Sequence, residues 1–332
     1  MQKAKKRLFS VTAVLLAVLV ALTALLPTAG AAQAATMRSK YTGKSYTHNA
    51  RFDKLEVLNG VDISAWQEKV DWKKIKNDGI DFAILRAGYG KNASQEDAYF
   101  ATNFKNATAA GLPVGIYWYS YAKSVADVEK EARLCLQVLG SRTLDLPVFY
   151  DLEESSQLNK GKAFCTQLVE HFCSIIAAAG HTPGLYMSRS PLLDYIEQET
   201  RGRYALWVAE YGSKACKYDG DYLMWQYSDN GKVAGVNGNT DMDFLYGNKN
   251  SLPGSATLLK SKTYTGKAIT PAPTVTGEDG QPLKADKDYT LTYINNKAVG
   301  MATITAQGLG AYTGRRWYYR FKILPAKVTG LT

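Results

Sequence analysis

The sequence has 332 residues, of which 46% are hydrophobic and 21% are charged. This composition excludes an intrinsically disordered chain and leaves room for more than one domain. The formal net charge of +10 is unevenly spread, because the residues from Ser255 onward hold 11 Lys or Arg against 4 Asp or Glu. The three histidines, at positions 48, 171 and 181, lack the spacing of metal ligands, which argues against a zinc site and against a Ser-His-Asp triad.

The N-terminus has the pattern of a secretory signal peptide over residues 1–34. Four basic residues come first, and an apolar run from Leu8 to Leu26 follows them. The sequence Ala32-Gln33-Ala34 then fits an A-x-A cleavage site. An uncleaved membrane anchor is the alternative, because the apolar run is slightly long. We therefore expect a protein that is secreted, or associated with the cell wall, after cleavage near Ala34.

Residues 35–57 are polar and lack periodicity, which predicts a linker. From Gly60 to Tyr246, short apolar runs alternate with amphipathic segments. The apolar runs read as eight strands: Val61–Ile63, Phe82–Leu85, Val114–Tyr119, Pro147–Leu152, Gly184–Met187, Tyr204–Val208, Tyr222–Tyr227 and Met242–Phe244. The pattern predicts an α/β fold over residues 58–250, a closed parallel barrel of the irregular (β/α)8, TIM-like type.

Three segments between these strands have helical spacing. Asp97–Ala110 ends at Gly111, Ser124–Leu139 ends at Gly140, and Lys162–Ala179 ends at Gly180. Glycine is the preferred residue just beyond a helix. Helical signals become sparse after Ser188, so we expect the last part of the barrel to be irregular.

Carboxylates follow or end several of the predicted strands. Asp151 and Glu153 are one residue apart at the end of the fourth run, Asp62 lies in the first and Asp241 precedes the last. Because alternate residues of a strand point to one face, the side chains of Asp151 and Glu153 should lie together. Close carboxyl groups raise each other's pKa, which suits chemistry that needs one acid and one carboxylate. In barrels of this type the active residues lie at the carboxyl ends of the strands.

The segment from residue 255 to 325 has a different character. Alternating strands and turn residues predict a small all-β sandwich. Residues 326–332 read as a tail or as the start of a further linker. The basic charge of this part favours an anionic wall polymer as a partner, and export argues against nucleic acid.

Four cysteines, Cys135, Cys165, Cys173 and Cys216, are too few for a disulfide scaffold in so long a chain. Cys165 and Cys173 fall in one predicted helix about 12 Å apart, too far for a bridge between them. Two alternatives remain open. One is a disulfide that involves Cys135 or Cys216, and the other is four buried free thiols.

Several motifs resemble glycoside hydrolase family 25, the Chalaropsis-type lysozymes or N-acetylmuramidases. They are "GVDISAWQ", "DFAILRAGYG", "GLPVGIYWYSYA", "PVFYDLEE", "RYALWVAEYG" and "YLMWQYSDNGKVAGVNGNTDMDF", in the family's order. The resemblance implies a barrel of the kind expected above, no cofactor, and hydrolysis of the β-1,4 bond between N-acetylmuramic acid and N-acetylglucosamine in peptidoglycan. The C-terminal segment, with "YTGKAITP" and "GLGAYTG", is similar to immunoglobulin-like modules of Firmicutes surface proteins.

The resemblance also implies the site. Glu153 matches the general acid, and Asp151, Asp62 and Asp241 match the family's other carboxylates. Tyr117, Tyr119, Trp207, Trp225 and Gln226 match residues that line the cleft. Arg86, at the end of the second strand, either keeps an acid ionised or forms a structural salt bridge.

The partner that the resemblance implies is the glycan strand of peptidoglycan. We expect the protein to be a monomer and to bind this strand without a metal. A retaining mechanism is expected, with a carboxylate or the substrate's own 2-acetamido group as nucleophile. Two other functions remain open at this point. One is a non-catalytic wall-binding or adhesive protein, and the other is a chitinase-like glycosidase.

Overall fold

The computed structural model describes residues 35–249, 252–254, 256–277 and 280–326. The predicted signal peptide lies outside the described residues, as does most of the predicted tail. Among the helices that are described, none is long and apolar enough to cross a membrane.

Within the described residues, eight strands close into a barrel in the order β10-β3-β4-β5-β6-β7-β8-β9. Each of the eight predicted runs falls in one of them or at its margin. The strands are β3 (Glu56–Ile63), β4 (Phe82–Tyr89), β5 (Val114–Tyr119), β6 (Val148–Asp151), β7 (Pro183–Ser188), β8 (Ala205–Ala209), β9 (Met224–Gly231) and β10 (Thr240–Gly247). The predicted barrel is thereby confirmed.

The barrel is not parallel throughout, which corrects the prediction. Strands β3 to β9 are parallel, whereas β10 runs antiparallel to both β9 and β3. The physical reason is the connection between β9 and β10, residues 232–239, because a parallel pair needs a crossover of a dozen or more residues. In the antiparallel register Asp241 lies opposite Asp62. The start of β10 therefore meets the end of β3.

The described helices cover the outside of the barrel. They are α1 (Trp72–Asn77), α2 (Phe100–Ala109), α3 (Val125–Leu139), α4 (Ser155–Leu158), α5 (Lys162–Ala178), α6 (Arg189–Tyr195) and α7 (Gln198–Arg203). Three of them, α2, α3 and α5, match the three predicted segments. Ser124 caps α3, because its side chain accepts a hydrogen bond from the Asp127 N–H. Gly140 ends α3 with a φ of 59°, a conformation that side-chain-bearing residues rarely adopt.

Residues 35–57 are part of the folded domain, not a linker. They form β1 (Thr36–Arg38) and β2 (Ser45–Thr47), an antiparallel pair, followed by a short 3-10 turn at Ala50–Phe52. The buried ring of Phe52 stacks on Tyr246 with ring centroids 3.9 Å apart, and Tyr46 packs edge-on against Trp225. Single aromatic anchors have no helical or strand period, which is why the sequence pattern did not predict this packing.

The C-terminal part forms one five-stranded sheet in the described residues. Its strands are β11 (Thr257–Leu258), β12 (Lys262–Thr263), β13 (Tyr289–Ile294), β14 (Gly300–Gly308) and β15 (Arg316–Leu324). The second sheet of the expected sandwich is not among these strands. The segment before β13 carries Pro271 and Pro273, which have no N–H to donate to a sheet.

Polar contacts dock this C-terminal module onto the barrel. Asp221 accepts hydrogen bonds at 2.7 Å from both Arg316 and Gln307, and Asn295 exchanges hydrogen bonds of 2.8 and 2.7 Å with Ser174. Asp221 precedes β9, so it lies at the amino end of the parallel strands. The module therefore sits at the rim opposite the one that carries Asp151.

A buried carboxyl holds the loop after β5. Glu131 of α3 is fully buried and accepts hydrogen bonds from Ser120 Oγ at 2.8 Å, the Tyr121 N–H at 2.8 Å and Tyr150 Oη at 3.2 Å. Gln157 of α4 adds a hydrogen bond of 2.7 Å to the same serine hydroxyl. The helix, the loop and the strand that leads to Asp151 are thus linked through one polar cluster.

The four cysteines are free thiols, which decides between the two alternatives left open by the sequence. Cys135, Cys165, Cys173 and Cys216 all lie within the described residues and are buried without a disulfide.

The buried Glu131 should make stability depend on pH. Burial, its largest influence, raises the pKa of Glu131 from 4.5 to about 7, so the folded state holds this proton more tightly than the unfolded state. The resulting stability is fully present below pH 4.5 and is lost as the pH rises through about 7. Relative to Glu131→Gln, the wild-type free energy of unfolding should fall by about 3 kcal/mol across this window.

Urea unfolding at several pH values measures this difference. Glu129→Gln on the same helix is the matched control, and it should follow the wild-type curve. Parallel curves for the wild type and Glu131→Gln would contradict the assignment.

A second prediction concerns the docking of the module. The Arg316 side chain is only 7% exposed, so Asp221→Ala leaves a buried guanidinium without its carboxylate. We expect a loss of about 3 kcal/mol in the free energy of unfolding, and Arg316→Met in the same chain should restore part of it. Asp219→Ala, at an exposed neighbour, is the control and should change stability by less than about 0.5 kcal/mol. Equal effects at positions 219 and 221 would show that the ion pair contributes nothing.

Candidate active site

A cleft of about 340 Å³ lies at the rim where the parallel strands end. Nine of the ten residues predicted from the sequence line it: Asp62, Arg86, Tyr117, Tyr119, Asp151, Glu153, Trp207, Gln226 and Asp241. The barrel topology explains this convergence. β3 and β6 deliver their carboxyl ends to the rim, and the antiparallel β10 delivers its amino end to the same place.

Trp225 does not line the cleft, which corrects its prediction as a cleft aromatic. Side chains alternate along β9, so the inward position of Gln226 turns Trp225 outward. Its buried ring packs against Tyr46 and Phe244, and its Nε1 donates a 3.0 Å hydrogen bond to the carbonyl of Glu210. Trp225 therefore belongs to the outer core of the barrel.

Gln226 fixes the position of Asp62. Its Nε2 donates a hydrogen bond of 2.7 Å to Asp62 Oδ2. Its Oε1 accepts from Tyr186 Oη at 2.7 Å and also from Tyr211 Oη. The two tyrosine hydroxyls therefore set the orientation of the amide, and the amide presents its donor to the carboxylate.

Burial and acidic neighbours raise the pKa values of Asp62 and Asp241 on the β3 and β10 side of the cleft. Burial is the largest cause at Asp62, followed by the charges of Asp241 and Asp243. Burial and the charge of exposed Asp229 raise the pKa of Asp241 to about 6. This side of the cleft therefore holds protons at pH values where ordinary aspartates have lost them.

The β6 side of the cleft carries Asp151 and Glu153, the two acids that are one residue apart in the sequence. Asp151 is buried, and burial followed by the charge of Glu153 raises its pKa, while Arg86 acts in the opposite direction. Glu153 stands at the solvent-exposed mouth. Desolvation raises the pKa of Glu153, the nearby Tyr119 hydroxyl lowers it, and the charge of Glu154 raises it further. One acid is thus enclosed and the other faces incoming substrate.

Arg86 combines the two roles that the sequence left open. Its Nε donates a 2.8 Å hydrogen bond to Asp97 Oδ2, whose carboxylate is buried. Asp97 also accepts from the backbone N–H groups of Ala65 and Tyr99 at 2.9 and 3.0 Å. The guanidinium is therefore held by a structural salt bridge and still lowers the pKa of Asp151.

The aromatic residues form the floor and walls of the cleft. Trp207 is 2% exposed, lies 6.0 Å from Tyr117 between ring centroids, and donates its Nε1 hydrogen to Asp243 Oδ1 at 2.7 Å. Tyr119 is half-buried on the wall and donates to Glu154 Oε1 at 2.7 Å.

Sequence reasoning missed several residues of this site. Asp243 follows Asp241 at strand spacing, so the alternation argument used for Asp151 and Glu153 also applied to it. Trp66 lines the cleft with 82% of its surface exposed, and a lone tryptophan beside polar residues was the available signal. Tyr186 and Tyr211 carried no comparable signal, because only the closed barrel places them against Gln226.

Comparison with known proteins identifies the family. The model of "Glycosyl hydrolases family 25" matches residues 61–236. The uncharacterized protein YegX of Escherichia coli O157:H7 is 31% identical over 59% of this chain and 72% of its own length. The autolytic lysozyme of Clostridium acetobutylicum is 27% identical over 56% of this chain and 55% of that protein.

A solved structure supports the fold. The modular autolysin LytC from Streptococcus pneumoniae, in complex with a synthetic peptidoglycan ligand, has a TM-score of 0.54. The match is 23% identical in sequence and covers 64% of this chain and 52% of LytC. The matched family segment runs from β3 to the connection before β10 and contains Asp62, Asp151 and Glu153. The chain therefore belongs to glycosyl hydrolase family 25.

Proposed function

We propose that this chain is a peptidoglycan hydrolase, an N-acetylmuramidase that cleaves the β-1,4 bond between N-acetylmuramic acid and N-acetylglucosamine. The observation that carries the proposal is the pair formed by buried Asp151 and solvent-facing Glu153 at the cleft, both with raised pKa values. The name of the lysozyme relative from Clostridium acetobutylicum supports the same substrate.

In the first step Glu153 protonates the glycosidic oxygen. The raised pKa of Glu153 favours the protonated form that a general acid needs, and its exposed position lets the leaving oxygen reach the proton. The C–O bond then breaks, and positive charge develops on the ring of the muramic acid. The carboxyls of the cleft stabilise that charge electrostatically.

In the second step the substrate's own 2-acetamido group acts as nucleophile and the configuration is retained. Asp151, enclosed beside Glu153, orients that group and stabilises its developing charge. Water then opens the ring that the attack of the acetamido group has closed on the sugar. Glu153 is the base that accepts the proton of this water. Asp62 and Asp241 position substrate and water from the opposite side of the cleft. Direct attack by a carboxylate is the competing route.

The aromatic side chains supply surfaces for sugar rings. Tyr117 and Tyr119 line the cleft beside the acids, and Trp66 extends an exposed ring at its edge. Aromatic faces provide a large apolar area for the C–H side of a sugar at low entropic cost. We assign these residues to glycan binding.

The remaining expectations concern location and partners. We propose a secreted or wall-associated monomer that uses neither a cofactor nor a metal. Its C-terminal module would bind anionic wall polymer. The seven exposed lysines of this module support that role: Lys260, Lys262, Lys267, Lys284, Lys287, Lys297 and Lys322.

Digestion of purified peptidoglycan by the wild type and by Glu153→Gln tests the activity. The wild type should release fragments that carry muramic acid at their reducing ends, identified by mass spectrometry after borohydride reduction. Loss of the general acid should lower the rate by at least about 10²-fold. Glu154→Gln is the matched control, because the amide oxygen still accepts the hydrogen bond from Tyr119. It should keep most of the activity at the pH optimum, while loss of the charge that raises the pKa of Glu153 should move the basic limb of the pH profile to lower pH.

The same experiment separates the other candidate functions. Cleavage of chitin oligomers instead of peptidoglycan would favour a chitinase-like enzyme. Equal wall binding by the wild type and Glu153→Gln, without cleavage by either, would favour an adhesive protein.

Glycan with N-deacetylated muramic acid tests the second step. Such substrate lacks the proposed nucleophile, so we expect its turnover to be lost. Glycan deacetylated only at the glucosamine units keeps the acetamido group of muramic acid and should be cleaved normally. Unchanged turnover of both substrates would replace the assisted route with attack by a carboxylate.

A further inference from the structure

Asp243 is a fully buried carboxyl that the mechanism above does not use. It lies in β10 two residues after Asp241, so both side chains face the barrel interior. Its Oδ1 accepts the 2.7 Å hydrogen bond from Trp207 Nε1. Among the described residues, no amide, hydroxyl or cationic donor reaches its Oδ2.

Asp62 and Asp243 are diagonal neighbours on the inner face of the β3–β10 ladder, because Asp241 pairs with Asp62 and Asp243 with Gly60, and their carboxyl groups interact. The other titratable groups that interact with it are Asp241 on its own strand, Tyr211 after β8 and Tyr227 on β9. None of these groups is a cation. Two ionised carboxylates in contact in such a site would repel each other at low dielectric, so one of them holds a proton.

The surroundings decide which carboxyl group holds that proton. Asp62 reaches the cleft surface and receives a donor from Gln226 on Oδ2, which stabilises a negative charge. Asp243 is 0% exposed, and its one donor is the indole of Trp207. The ionised form is therefore better supported at Asp62, and the proton belongs on Asp243.

We propose that Asp243 is a neutral acid that donates its proton to Asp62 while accepting from Trp207, and so acts as a positioning residue for both. It would keep a single negative charge on the pair and hold the Asp62 carboxylate toward the cleft. The inference rests on the proposed function only in so far as Asp62 contacts the substrate. The placement of the proton stands on the geometry alone.

Two substitutions at this position separate the charge of Asp243 from its hydrogen bonds. In Asp243→Asn the amide N–H₂ can donate to Asp62 and the amide oxygen can accept from Trp207, so most of the wild-type kcat should remain. Asp243→Ala loses both contacts, and misplacement of Asp62 should lower kcat by about 10²-fold. If Asp243→Ala fails to fold, Asp243→Asn still carries the test.

The pH profile provides a readout that a merely structural role would not affect. Exchange of a neutral acid for a neutral amide leaves the charge beside Asp62 and Asp241 unchanged, so the acidic limb of kcat against pH should not move. If Asp243 were ionised, its replacement would remove a negative charge and lower the pKa values of these neighbours. The acidic limb would then shift to lower pH.

Infrared spectroscopy tests the proton without relying on activity. The wild-type minus Asp243→Asn difference spectrum at neutral pH should contain the carbonyl stretch of one protonated carboxyl. Absence of that band, an acidic limb shifted downward, or an Asn variant as impaired as the Ala variant would each overturn the inference. A wild type that cleaves no peptidoglycan would refute the proposed function, and the infrared band would still show whether the pair formed by Asp62 and Asp243 holds a proton.

Discussion

The site depends on the antiparallel ladder between β3 and β10. This ladder closes the barrel, and it also places Asp241 directly opposite Asp62. A parallel β10 would carry Asp241 and Asp243 to the other rim, away from Asp151 and Glu153. A slip of one residue in register would turn both aspartates to the outside. Barrel closure and assembly of the acids are therefore one structural event.

The acids of the cleft are left with little compensating positive charge. Arg86 faces Asp151, but its Nε is committed to Asp97, which the backbone N–H groups of Ala65 and Tyr99 also hold. Part of the positive charge of Arg86 is therefore balanced by Asp97 and not by the acids of the cleft. The remaining carboxyls raise one another's pKa, an arrangement that costs stability. A site that must donate and accept protons near neutral pH needs that condition.

Much of the barrel and its acids could be predicted from the sequence, because strand runs and strand-end carboxylates are local patterns. The rest depended on packing that no local pattern encodes. Trp225 and Gln226 are neighbours, and only the closed barrel decides which of them faces inward. The segment 35–57 folds because isolated aromatics such as Phe52 find partners in the barrel wall. The antiparallel pairing of β10 depends on the short connection of residues 232–239, whose length is set by where β9 ends and β10 begins.

The docked module shows why net charge alone is a poor guide to a binding surface. The basic excess after Ser255 includes Arg316, which is buried against Asp221, and Arg320, which donates to Thr182 at the barrel. These two charges hold the module in place and are turned away from solvent. Any attraction for an anionic polymer therefore falls to the exposed lysines, which act as mobile point charges. Such attraction is screened by salt, whereas the inward arginines keep the module at the rim opposite the cleft and leave the cleft open to a long glycan strand.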